Sequence, residues 1–580
     1  MIKVEHLSYG FPQKDLFHNI TFTLEEGQHC AFIGTSGSGK STLAQMIIHP
    51  EPFMYEGKLE TLPSSKIGYV DQFFDRSNLS TTTVFDYIAS YGIKLQNQLT
   101  DICTQMETAT ELETLLDAYQ DTLDAYDAIG GDQFESLIEK KLYLANLSDR
   151  KELPLTALSG GELKLVQIIK EMLTHPALLI MDEPDVFLDF ENLGSLKNLI
   201  NAHKGTLLVI THNRYLLGNC FDKILHLENK ELQEYDGNYT AYHAALLERK
   251  IELQELAAAD TEEIKRNEAL IERLRTAATD HDDPSRGKSL KARLKIQERL
   301  EKRRIKAPFV DIKEPAISLV THHPLEEGNL LEVHGLSIAF DTPLLEDIEF
   351  EIGTHDKVAL IGPNGTGKST LLRAIYKRQA PEITYHPEAQ MAYVSQLENE
   401  TLDETKTLLE TFLGEAFETP SEVSAYLESY GFHEEMMTER IKNLSGGEKN
   451  LLQLAKIARH DANLLLLDEP TSHLDTYAQV ALEKAIQNYN GAILMISHDF
   501  YSIAHCMDYI LYIDDHHIRR VSMRKFRKMI YARYFDKDYL ELEQKKKELE
   551  LKITKALKEE DFTQAKNLFE VLKPLIPSYI

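Results

Sequence analysis

An α/β fold used twice in tandem is predicted by two glycine-rich loops and by the shared register of the motifs downstream of them. The loops are Gly34-Thr35-Ser36-Gly37-Ser38-Gly39-Lys40-Ser41-Thr42 and Gly362-Pro363-Asn364-Gly365-Thr366-Gly367-Lys368-Ser369-Thr370. Downstream, Ser159, Glu183 and His212 correspond to Ser445, Glu469 and His498, each pair offset by 286 positions. An offset held over three pairs without insertion or deletion requires one three-dimensional unit present twice. A chain of 580 residues exceeds a single core, and two units of about 220 residues each take up most of it.

Composition narrows the setting. No run approaches 18 consecutive apolar residues, and the start, MIKVEHLSYGF, has neither a charged leader nor an apolar signal core. A soluble protein without a membrane span is expected. Cys30, Cys103, Cys220 and Cys506 are scattered, without paired spacing. That argues against structural zinc, iron–sulfur clusters and a disulfide framework, and suits a reducing cytoplasm.

In each repeat an apolar strand, His29–Ile33 or Val358–Ile361, enters the glycine-rich loop, which opens into a helix. In that context glycines let backbone N–H groups curl round the β- and γ-phosphates of a nucleotide. Lys40 and Lys368 reach the same oxygens, and the hydroxyls of Ser41 and Ser369 are candidate Mg²⁺ ligands. Next comes Leu158-Ser159-Gly160-Gly161-Glu162, matched by Leu444-Ser445-Gly446-Gly447-Glu448. A pentapeptide of this composition arises by chance on the order of 10⁻⁶ per position, so its recurrence in register is decisive. A Ser-Gly-Gly turn entering a helix offers N–H groups, a hydroxyl and a positive dipole end to an anion.

The runs Ala177–Met181 and Asn463–Leu467 read as buried parallel strands that end in the carboxylate pairs Asp182-Glu183 and Asp468-Glu469. Beside phosphates, the aspartates can serve hydrated Mg²⁺ while the glutamates polarise the water that attacks the γ-phosphate. Further apolar strands lead to His212 and His498.

With these motifs in both halves, the chain resembles the ATP-binding cassette superfamily over roughly residues 1–240 and 329–520. The resemblance implies two P-loop ATP-binding cassette domains in tandem, packed head to tail, with each ATP between one half's loop and the other half's Ser-Gly-Gly signature. Site one would join Lys40, Gln72, Asp182, Glu183 and His212 to Ser445 and Gly447. Site two would join Lys368, Gln396, Asp468, Glu469 and His498 to Ser159 and Gly161. Gln72 and Gln396 match the family's metal-sensing glutamine, and His212 and His498 its switch histidine. Phe11 and Phe340 are the candidates for adenine stacking, with Tyr9 next; a core role is equally open to all three.

From about Asn238 to Lys306 the sequence is nearly free of Gly and Pro and carries apolar residues at helical spacing. Two helices are expected, broken at Asp280–Gly287, and forty helical residues extend about 60 Å. The net charge of −30 argues against a polyanionic partner, yet ten basic residues lie between Ser285 and Lys306 against Glu298 and Glu301. A second cluster, Arg519 to Arg533, has seven basic residues and no acidic one. Tyr235-Asp-Gly-Asn-Tyr239, Leu270–Arg275 and the basic return arm resemble the ABC-F family. That resemblance implies a soluble, monomeric ATPase with an intramolecular cassette pair that binds the ribosome and points its linker at rRNA and peptidyl-tRNA. Arg286, Lys288, Lys291, Arg293, Lys295, Arg299 and Arg303 are the candidate RNA-contacting residues. A solvated helical hairpin, a protein-binding regulatory ATPase and the ATPase subunit of a transporter are the alternatives.

The expected organisation is a first cassette over 1–237, a linker hairpin over 238–328, a second cassette over 329–520 and a C-terminal basic and helical extension over 521–580. An acidic helical insertion is expected at about 99–144, either an arm toward ribosomal protein or a larger helical subdomain. Departures from the family pattern are concentrated after the first glutamate. Glu469-Pro-Thr-Ser-His-Leu-Asp475 nearly keeps the ABC-F form, whereas the first half reads Glu183-Pro-Asp185-Val186-Phe187-Leu-Asp189, so unequal sites are expected. That irregularity, together with the long tip carrying Asp280, Asp282 and Asp283, tilts the expectation toward ribosome protection against antibiotics over a housekeeping factor that relieves stalled ribosomes.

Overall fold

The structure is a computed structural model that describes residues 2–11, 14–72, 82–107, 112–186, 188–228, 230–279, 284–303, 315–339, 343–396, 400–414, 416–534 and 539–575. Each cassette is built on a six-stranded sheet. Across the first sheet the order is Ile67–Val70, Leu178–Asp182, Thr206–Ile210, His29–Gly34, Lys223–Glu228 and Glu231–Asp236, with only the last strand antiparallel. The second sheet repeats it with Met391–Val394, Leu464–Asp468, Ala492–Ile496, Lys357–Ile361, Tyr509–Asp514 and His517–Ser522.

Central strands covered on both faces must be apolar throughout, which is why Leu178–Asp182, Thr206–Ile210, Leu464–Asp468 and Ala492–Ile496 are buried at every position. Parallel pairing in register, with Asp182 beside Ile210 and Asp468 beside Ile496, brings the carboxyl ends of neighbouring strands to one edge. In open α/β sheets that edge is where ligands bind. A three-stranded antiparallel sheet covers each cassette's phosphate-loop helix: Lys14–Leu24, Ile2–Phe11 and Glu56–Glu60 in the first, Pro343–Gly353, Asn329–Ala339 and Ile383–Tyr385 in the second. Phe17, Phe22 and Phe32 fill the core beneath the first of these.

Three boundaries differ from those expected. The helical insertion begins at Val84, not at about 99, and comprises Val84–Met106, Glu113–Ala128 and Phe134–Leu144. Its first helix contacts the signature helix of its own cassette and buries Val84, Ile88 and Leu95, an apolar face that the acidic composition obscures. Residues 315–328, expected in the linker, belong to the second cassette: Leu319 is buried and Thr321 bonds to Asn490 and Asp461. The extension expected from 521 starts later, because His517–Ser522 completes the sheet edge and Met523–Tyr534 seats buried Phe526 against Phe500.

The two cassettes form one compact unit. Arg214 of the first pairs with buried Glu483 of the second at 3.2 Å. Phe190 of the first half meets the rings of His498 and Phe526 at 5.7 and 6.4 Å.

A second unit contains residues 239–313 and 535–580. Its first helix, Tyr239–Thr279, is 41 residues long, about 62 Å at 1.5 Å per residue. The return helix Pro284–Arg303 starts on proline, whose missing N–H costs nothing at a helix N-terminus. The pair is joined by Asn267, whose amide donates to Gln297 at 2.7 Å and to the Arg293 carbonyl at 3.3 Å, and by buried Ile271. The helices Tyr539–Lys558 and Phe562–Leu572 add a core of Ile553, Leu557, Phe569 and Leu572 around Ile251 of the long helix. Lys566 pairs with Glu255, and Lys573 with Glu248, at the edge of that core.

Truncating Phe569 to Ala should destabilise this local core by about 3–5 kcal/mol, the usual loss for a buried aromatic ring. Lys566→Ala should cost less than about 1 kcal/mol, because the pair is about half exposed. Native-state hydrogen exchange tests both: protection across Tyr539–Leu572 and around Ile251 should drop in the first variant and persist in the second. Equal effects would mean that charge, rather than burial, holds the hairpin.

Candidate active site

Both phosphate loops solve the same backbone problem. Gly39 and Gly367 cap the helices Lys40–Ile48 and Lys368–Lys377 at φ 101° and 91°, in the left-handed region. A side chain on Gly39 would be strained there and would also meet Leu16 at 3.1 Å. The turn directs loop and helix N–H groups toward one concavity, an anion cradle. Lys40 donates to the carbonyls of Gly34 and Thr35, both at 2.9 Å; Lys368 donates to those of Gly362 and Pro363, both at 2.8 Å. Burial lowers both ammonium pKa values, while the strand-end carboxylates, Glu183 and Glu469 foremost, oppose it. A buried ammonium whose hydrogen-bond acceptors are neutral carbonyls favours an incoming phosphate oxygen.

Asp182 and Asp468 lie at the ends of the adjacent central strands and are almost fully buried. Burial pushes each carboxyl up to about 6, and the hydroxyls of Ser41 and Ser369 work against it. Neither oxygen of Asp468 has a well-formed hydrogen bond, although the Ser369 hydroxyl is near enough to favour its ionised form. Among the described residues no three His, Cys, Asp or Glu side chains gather into a metal cage. A single buried carboxylate beside a hydroxyl fits Mg²⁺, which takes few protein ligands and completes its shell with waters and substrate phosphates.

Glu183 and Glu469 follow at φ 44° and 51°, unusual for residues with side chains and characteristic of functional sites. Their N–H groups donate to the carbonyls of Ile210 and Ile496, both at 2.9 Å, so the neighbouring strand enforces the turn. The two carboxylates then diverge. Glu183 Oε2 accepts from Gln72 Nε2 at 2.7 Å and from Nδ1 of His473, across the cassette boundary, at 2.9 Å. Burial raises the Glu183 carboxyl, but the hydrogen bond and charge of His473, with His212 and Lys40 behind, bring it down to about 2. The described partners of Glu469 are the His498 N–H at 3.3 Å and Nε2 at 3.5 Å. Burial and the adjacent Asp468 push its carboxyl up to about 8.

His212 and His498 are buried, and burial drops their imidazoles to about 4 and about 3, leaving both neutral at pH 7. His212 Nε2 and His498 Nδ1 have no hydrogen-bond partner among the described residues, so each ring keeps a nitrogen available to a phosphate. Gln396 follows the strand Met391–Val394, as Gln72 follows Ile67–Val70.

The signature turns open the helices Gly160–Leu173 and Gly446–Ile457. Ser159 and Ser445 cap them reciprocally with Glu162 and Glu448, the role of the fifth signature residue that the motif alone did not disclose. The cap uses the third N–H and leaves those of Gly160 and Gly161, or Gly446 and Gly447, for an anion. Gly447 lies so close to the first loop that a Cβ would sit 2.4 Å from Ser36 Oγ and 2.5 Å from the His473 carbonyl. Ser36 Oγ donates to that carbonyl at 3.3 Å, and reciprocally the Asn364 N–H donates to Asp189 at 3.2 Å.

Phe11 is half exposed at the end of its strand, free to stack, whereas Tyr9 packs between Phe11, Phe17 and Phe53 and takes the core role. Phe340, Phe187 and the tip aspartates 280, 282 and 283 lie outside the described residues. Lys291, Lys295 and Arg299 are exposed on the return helix; Arg293, also exposed, reaches Asn267 at 3.4 Å; Arg286, Lys288 and Arg303 share that helix. Sequence reasoning missed His473 as a site residue. Its only signal was the contrast with Phe187 at the equivalent position.

Residues 17–186 and 345–472 match the ABC transporter family, and residues 225–319 match an ABC transporter extension. The chain is 30% identical to the ABC transporter ATP-binding protein YfmM of Bacillus subtilis (strain 168), over 86% of this chain and 96% of that protein. It is 29% identical to the energy-dependent translational throttle protein EttA of Escherichia coli (strain K12), over 86% and 90%. In fold it is similar to the archaeal ribosome recycling factor aABCE1, solved with ribosomal stalk protein aP1, at a TM-score of 0.55 and 15% identity, covering 91% of this chain and 92% of that one. No described helix is long and apolar enough to cross a membrane. With paired phosphate loops, strand-end carboxylates and signature helices, the chain belongs to the ATP-binding cassette family as a tandem ATPase of its ABC-F branch.

Proposed function

We propose that this ATPase binds two MgATP at the composite sites between its cassettes, and that it engages the ribosome through the linker hairpin to modulate translation in the cytoplasm. The observation that carries the chemical half is the placement of a carboxylate, Glu183 or Glu469, at the end of a buried strand beside a buried lysine and an Asp-Ser pair. Lys40 and Lys368 hold the phosphates, with the loop N–H groups and the signature glycines of the opposite half. Asp182 with Ser41, and Asp468 with Ser369, would hold Mg²⁺, with Gln72 and Gln396 as further candidates beside them. Bound there, Mg²⁺ would neutralise charge developing on the phosphate oxygens. Glu183, and Glu469 in its ionised form, polarise the attacking water, and neutral His212 and His498 donate to the γ-phosphate.

The ribosomal half is supported by the exposed basic residues on the return helix of an otherwise acidic chain, and by the translational and ribosomal roles that EttA and aABCE1 are named for. A basic helix suits a phosphate-lined RNA cleft, and the acidic remainder disfavours stray nucleic-acid binding. Within that reading we favour a translation factor. The irregular first loop after Glu183, one of the two reasons to expect antibiotic protection, bears on the chemistry of the nucleotide sites and carries no information about a drug. Comparing growth with and without inhibitors of the peptidyl-transferase region in a strain lacking the protein separates the two roles.

Changing both Glu183 and Glu469 to Gln removes water polarisation and keeps the phosphate and metal grips. ATPase activity should fall about 10²-fold or more, the scale of losing a general base. The chain should then co-sediment stably with 70S ribosomes in ATP and inhibit translation. Normal turnover in the double variant contradicts the assignment of the glutamates, and failure to co-sediment in any nucleotide state contradicts the ribosomal reading.

Replacing Arg293, Lys295, Arg299 and Arg303 with Gln should weaken ribosome binding and flatten its dependence on salt. Each lost phosphate contact lowers the log–log salt slope by about 0.7–0.9. Basal ATPase should persist, since the helix belongs to the second unit. An unchanged slope would return the helix to a merely solvated face.

A further inference from the structure

The second cassette supplies the first site with a side chain, His473, whose counterpart by the repeat offset is a phenylalanine. His473 stands in the loop after the second cassette's strand-end carboxylates, yet its Nδ1 lies 2.9 Å from Glu183 Oε2 and 3.0 Å from Gln72 Nε2, both in the first cassette. The repeat offset places Phe187 at the corresponding position, and a phenyl ring can neither donate nor accept such a bond.

The backbone presenting His473 is built for the purpose. It adopts φ 61°, a left-handed conformation that persists only where its surroundings enforce it. Asn450, buried on the signature helix, donates from one amide nitrogen to the carbonyls of Pro470 at 3.0 Å and Ser472 at 2.9 Å, tying down the residues just before it. Ser36 holds the His473 carbonyl from the far side. The position equivalent to Asn450 in the first half is Lys164, also buried, and it makes a different connection: its ammonium donates to the backbone carbonyls of Asp71 and Gln72. So both helices steady the same site. One fixes the loop that carries His473 and the other fixes the strand end that carries Gln72.

We propose that His473, presented by Asn450, is a positioning residue whose Nδ1–H reaches across the cassette boundary to orient the Glu183 carboxylate, which Gln72 holds from its own side, so that the water-polarising carboxylate of site one is locked from the opposite half. The inference rests on the role assigned to Glu183 and deepens it. Separation of the cassettes withdraws His473 and leaves Glu183 without its transverse partner, which ties turnover at site one to closure of the pair. Phe187, the counterpart by the repeat offset, has no donor with which to make that tie to site two.

Single-site chains test this. Glu469→Gln leaves turnover at site one, and Glu183→Gln leaves turnover at site two. Adding His473→Ala to the first should lower kcat about tenfold with less than a twofold change in KM for ATP; the loss in the second background should be at least fivefold smaller. His473→Asn, whose amide nitrogen replaces Nδ1 and which tolerates a positive φ, should restore most of the rate. Asn450→Ala should act in the same direction as His473→Ala and more weakly. Equal losses at both sites, a loss expressed in KM, or an Asn variant as defective as Ala would overturn the proposal. Absence of any turnover in the Glu469→Gln chain would overturn the assignment of Glu183 along with it, whereas turnover that ignores His473 would overturn this inference alone.

Discussion

The approach of Gly447 to Ser36 governs what the rest of the molecule can do. No side chain fits at that point, since even a Cβ would meet Ser36 Oγ and the His473 carbonyl well inside contact distance. The signature helix of one half can therefore bring its first N–H groups to the other half's phosphate loop only with glycine at its first turn. A phosphate bound there would take ligands from both halves, and its binding free energy would favour the closed arrangement over separated cassettes. Arg214 with Glu483, and Phe190 with His498, then add an ion pair and an aromatic contact between the same halves.

Within each half, a chain of ordinary constraints delivers the chemistry. Burial on both faces makes the central strands continuous apolar runs, and parallel register aligns their ends. The reversed backbone after each strand, enforced by the bonds from Glu183 to Ile210 and from Glu469 to Ile496, turns the glutamate away from the strand direction while the aspartate stays in line. Strain at those residues is offset by the packed sheet beneath them, which is the least deformable part of the fold. Positions that need both strain and precision are thus anchored on the most buried strands rather than on the exposed loops.

How much of this the sequence discloses depends on the range of the interaction. Phosphate loops, carboxylate strands and signature turns are local: residues close in sequence create the geometry, so spacing alone places Lys40, Asp182 and Ser159. The offset of 286 extended that reading to the second half. The interactions that escaped it are long-range. His473 lies 290 positions from Glu183, and no periodicity or spacing announces a bond between them. Boundaries failed for a related reason. The apolar face of Val84–Met106 and the burial of Leu319 and Phe526 are defined by what packs against them, and charge and composition, which set the expected limits at 99, 328 and 521, do not encode that.

The differences between the halves form a set rather than a scatter. Thr471 faces Ser497 at 3.4 Å where Asp185 accepts from Thr211 at 2.6 Å, so the first loop carries a partly buried acid joined to its own cassette. Burial pushes that carboxyl up to about 6. Asn450 braces the second loop, while Lys164, at the equivalent position, braces the glutamine strand instead. His473 and Phe187 complete the series. Were these substitutions independent drift, their effects would fall on both sites without pattern. Instead Lys164, Asn450 and His473 all converge on the surroundings of Glu183 and Gln72, and no comparable set surrounds Glu469 among the described residues. Duplication gave the two halves the same phosphate grips, and divergence at a few positions beside those grips was enough to give each carboxylate a different neighbour.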